Sequence, residues 1–276
     1  MALKLIQPWF SVVIPTWGKG GVALTAECLR SLRQTHSQVS PEVIVVDDGS
    51  DEATVAELNQ VCESHQARLI HQSQNGGFAK ACNAGLRQAT GLSCVLVNND
   101  IVFQGCPTLQ ILCDSLNILG AGVVGTRLLY PDDTVQHGGV VFVPAQGQPI
   151  PGYWDHALRG YPRDHPMAVS IRPMLVSGAL YAISRAAMLI VGLLDERFGM
   201  AVEDIDYGLD CMVAGLPIFY NGYAWAYHLE GRTRGRTLEE KMQMAPEKWE
   251  TEQEGLKIFF KKWVTTDWTD FAVRLT

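Results

Sequence analysis

Residues 42–50 read EVIVVDDGS: an apolar run from Glu42 to Val46 that empties into Asp47, Asp48 and a Gly49-Ser50 turn. A β-branched run without polar alternation is the pattern of a strand buried on both faces, as when helices cover each side of a parallel sheet. Working outward, Phe10 to Ile14 (FSVVI), stopped by Pro15, and Leu92 to Val97 (LSCVLV), stopped by Asn98, repeat the pattern, and Arg68 to His71 gives a shorter version. Helix-period segments separate them, at about residues 22–35 with Leu24, Cys28, Leu29 and Leu32 apolar, 52–64 with Val55, Leu58 and Val61, and 77–89. This β-α-β-α-β-α-β alternation predicts a parallel sheet with right-handed crossovers, and ligands of such open sheets sit beyond the carboxyl ends of the strands. Those ends carry Pro15-Thr16, Asp47-Asp48-Gly49-Ser50 and Asn98-Asn99-Asp100.

After residue 105 the rhythm changes. A helix is expected near 107–119, strand-like pieces at 122–126 and 139–143, and a Pro/Gly-rich stretch at 144–166 reads as a loop or lid. Short strands and helices resume from Ile171, with a helix from about Glu203 to Ala214, strands near 217–220 and 224–228, and an amphipathic C-terminal helix near 245–263. No internal repeat is visible, and no linker cuts the chain in two.

The 276 residues are 47% apolar and only 18% charged, which leaves little material for a solvated arm. With 22 Lys+Arg against 29 Asp+Glu the net charge is −7, and no long basic run exists to grip a nucleic acid backbone or an anionic lipid surface. The seven cysteines contain no C-x-x-C pair and fall in apolar or helical stretches, where a thiol behaves as a small hydrophobe. A reducing cytoplasm is the simplest expectation. MALKLIQPWF is interrupted by Lys4, Gln7 and Pro8 and does not read as a secretory leader. The most membrane-like window, Met174 to Leu194, contains Ser177, Gly178, Ser184 and a central Arg185, so it reads as core, and no transmembrane segment is expected.

Several constellations can carry chemistry, each with a plainer structural reading beside it. Asp47 and Asp48 can accept hydrogen bonds from a base or ribose, or simply make an Asp-Gly turn with a helix cap. Asn98-Asn99-Asp100 offers one carboxylate to a divalent cation at a diphosphate, or caps a helix. Glu203-Asp204-Ile205-Asp206 supplies a general base, or acids that a helix N-terminus favours on electrostatic grounds. His228, followed by Arg232, Arg234 and Arg236, combines an imidazole with guanidinium groups suited to a metal-bound diphosphate; the alternative is a structural histidine before a solvated loop. Asn75-Gly76-Gly77, with Lys80 inside the next helix, is neither a P-loop nor a G-x-G-x-x-G fingerprint, yet its glycines let backbone approach a nucleotide. Tyr153, Trp154 and Tyr161 can stack on an acceptor sugar or anchor their own loop. No G-x-S-x-G, H-E-x-x-H or C-x-x-C pattern is present, which sets serine hydrolases, zincins and zinc ribbons aside.

Taken in order, Val13-Ile14-Pro15-Thr16, Val46-Asp47-Asp48-Gly49-Ser50, Asn75-Gly76-Gly77-Phe78 with Asn83-Ala84-Gly85-Leu86, Val97-Asn98-Asn99-Asp100, Gln136-His137-Gly138-Gly139, Ser177-Gly178-Ala179, Glu203-Asp204-Ile205-Asp206 and Tyr227-His228 resemble family 2 glycosyltransferases of the GT-A fold. The N-G-G-F, N-N-D and Q-H-G-G set is similar to the rhamnosyltransferase-like branch that builds surface polysaccharides. The resemblance implies an α/β, Rossmann-like, mainly parallel sheet flanked by helices, in one domain over residues 1–276. About 10–105 form its nucleotide-binding half, about 106–240 its acceptor and catalytic half, and about 241–276 a C-terminal helix.

It further implies inverting transfer from a UDP-, TDP- or GDP-sugar to a saccharide or lipid-linked saccharide, with Mn2+ or Mg2+ on the diphosphate. By motif position Asp47 contacts the base and Pro15 and Thr16 line its pocket, with Asp48, Asn75, Gly76, Lys80 and Asn98 grouped at the same nucleotide. Asp100 and His228 match the metal site, and Arg232 and Arg234 are diphosphate candidates. Asp204 matches the catalytic base, Glu203 being the substitute one residue away, and Tyr153 and Trp154 are acceptor candidates. Two positions depart from the family pattern: Trp17-Gly18 stands where an aromatic-Asn pair is usual, and Asp210 where an arginine often ends the Glu-Asp helix motif. An inactive nucleotide-sugar-binding module is the alternative those departures suggest. A nucleotidyltransferase is the other, although its glycine-rich basic loop is missing. The expected location is cytoplasmic, with room for peripheral association on the inner face of the membrane.

Overall fold

A computed structural model describes residues 9–144, 152–199, 201–229 and 246–263. Its first half is the expected alternation: β1 (Phe10–Thr16), α1 (Gly18–Thr35), β2 (Glu42–Asp47), α2 (Glu52–Ser64), β3 (Arg68–His71), α3 (Phe78–Gln88) and β4 (Ser93–Val97). There follow β5 (Ile101–Val102), α4 (Thr108–Ile118), β6 (Val123–Leu129), β7 (Val135–His137), β8 (Val140–Pro144), β9 (Gly152–His156), β10 (Ile171–Pro173), β11 (Leu180–Ser184), α5 (Arg185–Ile190), α6 (Glu203–Val213), β12 (Ile218–His228) and α7 (Pro246–Lys262).

The main sheet runs β10-β12-β6-β11-β4-β1-β2-β3, with β5 added on β12 and β7 on β6, while β8 and β9 form a separate hairpin. β4, β1, β2 and β3 are mutually parallel, as are β6 and β12, and antiparallel β11 joins the two blocks by pairing with β4 and β6. Period-2 alternation divides the apolar runs between two cores. Val13, Ile44, Val46 and Leu96 face α3 and α6, whereas Val12, Ile14, Val43, Val45, Val95 and Val97 face α1 and α4. That division is why these strands are apolar at nearly every position. Gly85 of α3 belongs to the same packing, since a Cβ there would lie 2.3 Å from Val13 Cγ1.

Three sequence expectations are revised. β1 does not stop at Pro15 but continues to Thr16, with Pro15 paired to Val46. The Thr16 carbonyl accepts from Asp48 N on the β2 side, so alternate Pro15 directs its missing donor toward β4, where the ladder already ended at Val13. The strands expected at 217–220 and 224–228 are one strand, β12, with a register shift between Asn221 and Trp225. Gly222 sits at that irregularity, where a Cβ would fall 1.8 Å from the Ala168 carbonyl oxygen. Finally, the 144–166 stretch expected as loop contains β9, held by Val141↔Asp155 and Phe142↔Trp154 pairing with β8.

Candidate active site

At the carboxyl end of β2 the two acids are held by the protein's own donors. Asp47 is fully buried and accepts from the Ser50 amide at 3.0 Å, from the Ser50 hydroxyl, and from His71 Nδ1 of β3 at 2.7 Å. Asp48 accepts from Gly76 N at 2.8 Å and Gly77 N at 2.9 Å, and burial pushes its carboxyl above the usual range despite those amides. Gly49 has φ +79, and a Cβ on it would lie 2.3 Å from Asn75 N, so the Asp-Gly turn and the Asn75 loop are fitted to each other. Thr16, buried at the end of β1, receives Thr25 Oγ1 and Asn99 Nδ2, each at 3.0 Å. The predicted nucleotide residues are thus gathered at neighbouring strand ends: Pro15, Thr16, Asp47 and Asp48 buried, Gly76 half-buried, and Asn75 and Lys80 exposed.

A second group forms where β4, β5, β7 and β12 meet. Asp100 follows β4, and its Oδ1 lies 3.1 Å from His228 Nε2 at the end of β12. Antiparallel pairing of His228 with Ile101 makes this approach, joining residues far apart in sequence. His228 Nδ1 is 2.8 Å from Gln136 Oε1. An amide oxygen only accepts, so Nδ1 carries a proton, and Nε2 is the ring nitrogen left to face the carboxylate. An imidazole nitrogen and a carboxylate oxygen at this separation could share a cation, to which Nε2 would offer its lone pair. Among the described residues no cluster of three His, Cys, Asp or Glu ligands occurs.

The third group is the start of α6. Val202 takes the left-handed conformation (φ 61) ahead of the helix, and the acids that follow separate at once. Asp204 Oδ2 accepts from Gly178 N at 2.5 Å and Oδ1 from Ile205 N at 2.8 Å. Glu203 is buried; after burial itself, its charge is the next cause pushing the Cys82 thiol up. Asp206 is buried as well, receiving Lys262 Nζ at 2.8 Å from the end of the C-terminal helix and Trp263 Nε1 at 2.8 Å from just beyond it. Lys262 also donates to Asp210 at 2.7 Å. The departure at Asp210 therefore has a structural partner in α7.

The segment Ser177-Gly178-Ala179 ties the groups together. Gly178 holds Asp204, the Ala179 carbonyl accepts from Asn98 N at 2.8 Å, and Ser177 N donates to His137 Nε2 at 3.2 Å. Asp204 is thereby bound to the loop that also binds the β4 end carrying Asn98 and Asp100. Tyr153 is exposed on β9, whereas Trp154 packs edge-on against Phe142 at 5.1 Å and Phe259 at 6.2 Å. Arg232 and Arg234 lie outside the described residues. Sequence reasoning assigned no role to Gln136, His137, Asn99 or Lys262; for the first two the Q-H-G-G motif was the available signal.

The family model described as glycosyl transferase family 2 matches residues 11–153, just over half of the chain. The chain belongs to that family. An uncharacterised protein of Sinorhizobium fredii is 28% identical over 273 residues, covering 96% of this chain and 28% of that protein. The O-antigen biosynthesis protein RfbC of Myxococcus xanthus is 24% identical over 236 residues, covering 82% of this chain and 18% of its own length. The chain thus spans less than a third of either relative. Among solved structures, mannosyltransferase PcManGT from Pyrobaculum calidifontis, in complex with GDP-Man and Mn2+, matches with a TM-score of 0.57 at 16% identity, over 95% of this chain and 77% of that one. The mixed, mainly parallel sheet is of the GT-A type. No helix among the described residues is long and apolar enough to cross a membrane.

Proposed function

We propose that this chain moves a sugar, with inversion at the anomeric carbon, from a nucleotide-diphosphate donor to an acceptor hydroxyl in the synthesis of a surface glycan, using Mn2+ or Mg2+ held by Asp100 and His228. The observation that carries the reading is the 3.1 Å approach of Asp100 Oδ1 to His228 Nε2, with Asp204 held on the loop that binds the end of β4. A hard carboxylate oxygen plus an imidazole nitrogen suits Mn2+, and Mg2+ less well, with substrate diphosphate oxygens and water completing the shell. Bound there, the ion would offset charge on the departing diphosphate.

Inversion needs attack from the face opposite the leaving group, so the proton acceptor belongs on the other side of the breaking bond. Asp204 takes that role: its carboxylate is oriented by Gly178 N and Ile205 N and receives the acceptor hydroxyl's proton as the new bond to the sugar forms. Glu203, buried beside it, is the weaker candidate. Asp47 and Asp48, already engaged, set the floor of the nucleotide pocket. Pro15, Thr16, Asn75, Gly76, Lys80 and Asn98 line it, and Arg232 and Arg234 are assigned to the diphosphate. Residues 10–105 then bind the donor and 106–240 the acceptor, with exposed Tyr153 as the acceptor contact and Trp154 as the packing residue behind it.

The nucleotide sugar and Mn2+ of the Pyrobaculum neighbour support the donor class, and the O-antigen relative supports the surface-polysaccharide setting and the rhamnosyltransferase-like branch. The test is incubation with UDP-, TDP- and GDP-sugars, with and without Mn2+ or Mg2+, reading nucleotide diphosphate release and the anomeric configuration of the product. Release that needs the ion and gives inverted product is expected. Undiminished release in chelator, or retained configuration, overturns the reading.

A further inference from the structure

The geometry points to strand β7 as a positioning element for both poles of the reaction: Gln136 fixes the His228 ring at the cation site, and His137 fixes the loop that holds Asp204. This rests on the roles proposed above for Asp100, His228 and Asp204.

Adjacent residues of a regular strand face opposite ways. Here both are turned inward, with Gln136 2% and His137 1% exposed. The register explains how. Leu128 of β6 pairs with His137 and Leu129 with Val135, so one step on β6 meets two on β7, and Gln136 is the extra residue of a bulge. Bulges re-aim side chains in this way next to active sites. Gln136 Oε1 then reaches His228 Nδ1 at 2.8 Å, on the side of the ring remote from Asp100. A partner of this kind on the second ring nitrogen selects the tautomer and orientation of a ligating histidine.

His137 takes the opposite task. Its Nε2 accepts the Ser177 amide at 3.2 Å, so that nitrogen carries no proton, and its Nδ1 is 2.6 Å from His156 Nδ1. Burial pushes the ring well below the ordinary histidine range, which keeps the accepting nitrogen available. The neighbouring amide, Gly178 N, donates to Asp204 Oδ2. Anchoring Ser177 thereby sets the donor that aims the base. Space there is tight, for a Cβ on Gly178 would meet Asp204 Oδ2 at 3.1 Å. The glycines that close the motif belong to the same device. Gly139 has φ +106, and a Cβ on Gly138 would lie 3.0 Å from the Ala157 carbonyl, so the chain can turn into β8 beside His156 only with small residues there.

The experiment compares Gln136→Leu, Gln136→Glu, His137→Leu and His137→Gln in the full chain. Mn2+ binding is read by calorimetry with UDP, TDP or GDP present, and donor hydrolysis gives kcat and KM. Gln136→Leu is expected to weaken Mn2+ binding by about 10–100-fold, with Gln136→Glu restoring it through its accepting oxygen. His137→Leu is expected to leave Mn2+ affinity and donor KM unchanged while lowering kcat by about tenfold or more, with His137→Gln, which keeps an acceptor, restoring kcat. Asp100→Ala separates the two levels of argument. If it leaves Mn2+ binding intact, the proposed metal site falls. If it abolishes binding while Gln136→Leu does not weaken it, the positioning role alone falls. Loss of both properties in both leucine variants, without rescue by Glu or Gln, marks β7 as merely structural and overturns the inference.

Discussion

Asp47-Asp48 at the end of β2 and Glu203-Asp204-Ile205-Asp206 at the start of α6 are both short acidic stretches, yet they are built in opposite ways. The first closes on itself: Asp47 takes Ser50 and His71, and Asp48 takes Gly76 and Gly77, all within one run of strand, helix and strand. The second disperses. Successive residues of a helix point about 100° apart, so Asp204 meets the Ser177–Gly178 loop, Glu203 enters the core and Asp206 meets Lys262 at the end of α7 and Trp263 just beyond it. Acids at a strand end can share one local pocket. Acids on a helix are given their roles by whatever distant segments pack on each face.

The sharpest way to break this contrast is to exchange roles within α6. Asp204→Asn is expected to cut turnover by about 10²–10⁴-fold, the range for losing a general base, while donor binding measured by calorimetry is retained. Asp206→Asn should lower the unfolding midpoint and leave kcat near the parent value; equal loss of turnover from both would erase the distinction between them. On the other side of the comparison, Asp48→Ala leaves the Gly76 and Gly77 amides without their acceptor. It is expected to destabilise the chain by about 2–3 kcal/mol in urea unfolding and to weaken nucleotide binding through the loosened Asn75 loop.

The same contrast marks what the sequence reveals. β1 to β4 were legible because each strand is apolar on both faces and each turn carries its own Gly, Asp or Pro, so every signal lies within a few residues of the element it defines. The second half depends on separations that a local pattern does not encode: β11 pairs with β4 and β6 at once, and β9 pairs with β8 across the Pro/Gly-rich stretch. Motif identity pointed to Asp100, His228 and Asp204, but not to what holds them. Gln136 and His137 act through a bulge, and a bulge is a mismatch between two strands, invisible in either one alone. The acid at 210 looked like a lost arginine until α7 supplied Lys262.

That last contact offers a smaller test. Lys262 donates to Asp206, which is 1% exposed, and to more exposed Asp210. Burial raises the Asp206 carboxyl while the Lys262 and Trp263 donors oppose the rise. Lys262→Met keeps the aliphatic stem but leaves Asp206 with Trp263 alone. A loss of about 1–2 kcal/mol is expected, with earlier proteolysis of α7. Pairing the substitution with Asp206→Asn should recover part of the loss, because the buried charge goes with its partner. A purely additive double variant would show that α7 docks through Phe259 and not through the ion pair.

The smallest effect is a pH dependence in the first half. His36, at the end of α1, donates from Nδ1 to the Leu32 carbonyl at 3.2 Å and accepts at Nε2 from Leu109 N of α4 at 3.2 Å. Acceptance at Nε2 requires the neutral ring, and burial, only partly opposed by the Leu32 carbonyl, pushes its pKa down to about 4. The unfolded chain's histidine titrates near 6.5, so between these values the unfolded state binds the proton and the folded state does not. His36 stabilisation is therefore complete above about pH 6.5 and is lost as pH falls toward 4, amounting to about 1 kcal/mol between pH 7 and 5.5. Asp48 and Asp206, raised by burial, act with the opposite sign, losing stability as pH rises through their folded values, so acidification costs nothing through them. His36→Gln, which offers an amide oxygen to Leu109 N, should remove about that much of the slope in urea midpoints. It should leave the share due to His137, whose ring is also pushed down by burial. If the full slope survives in His36→Gln, the proton is taken up in the second half, at the ring that anchors the Asp204 loop.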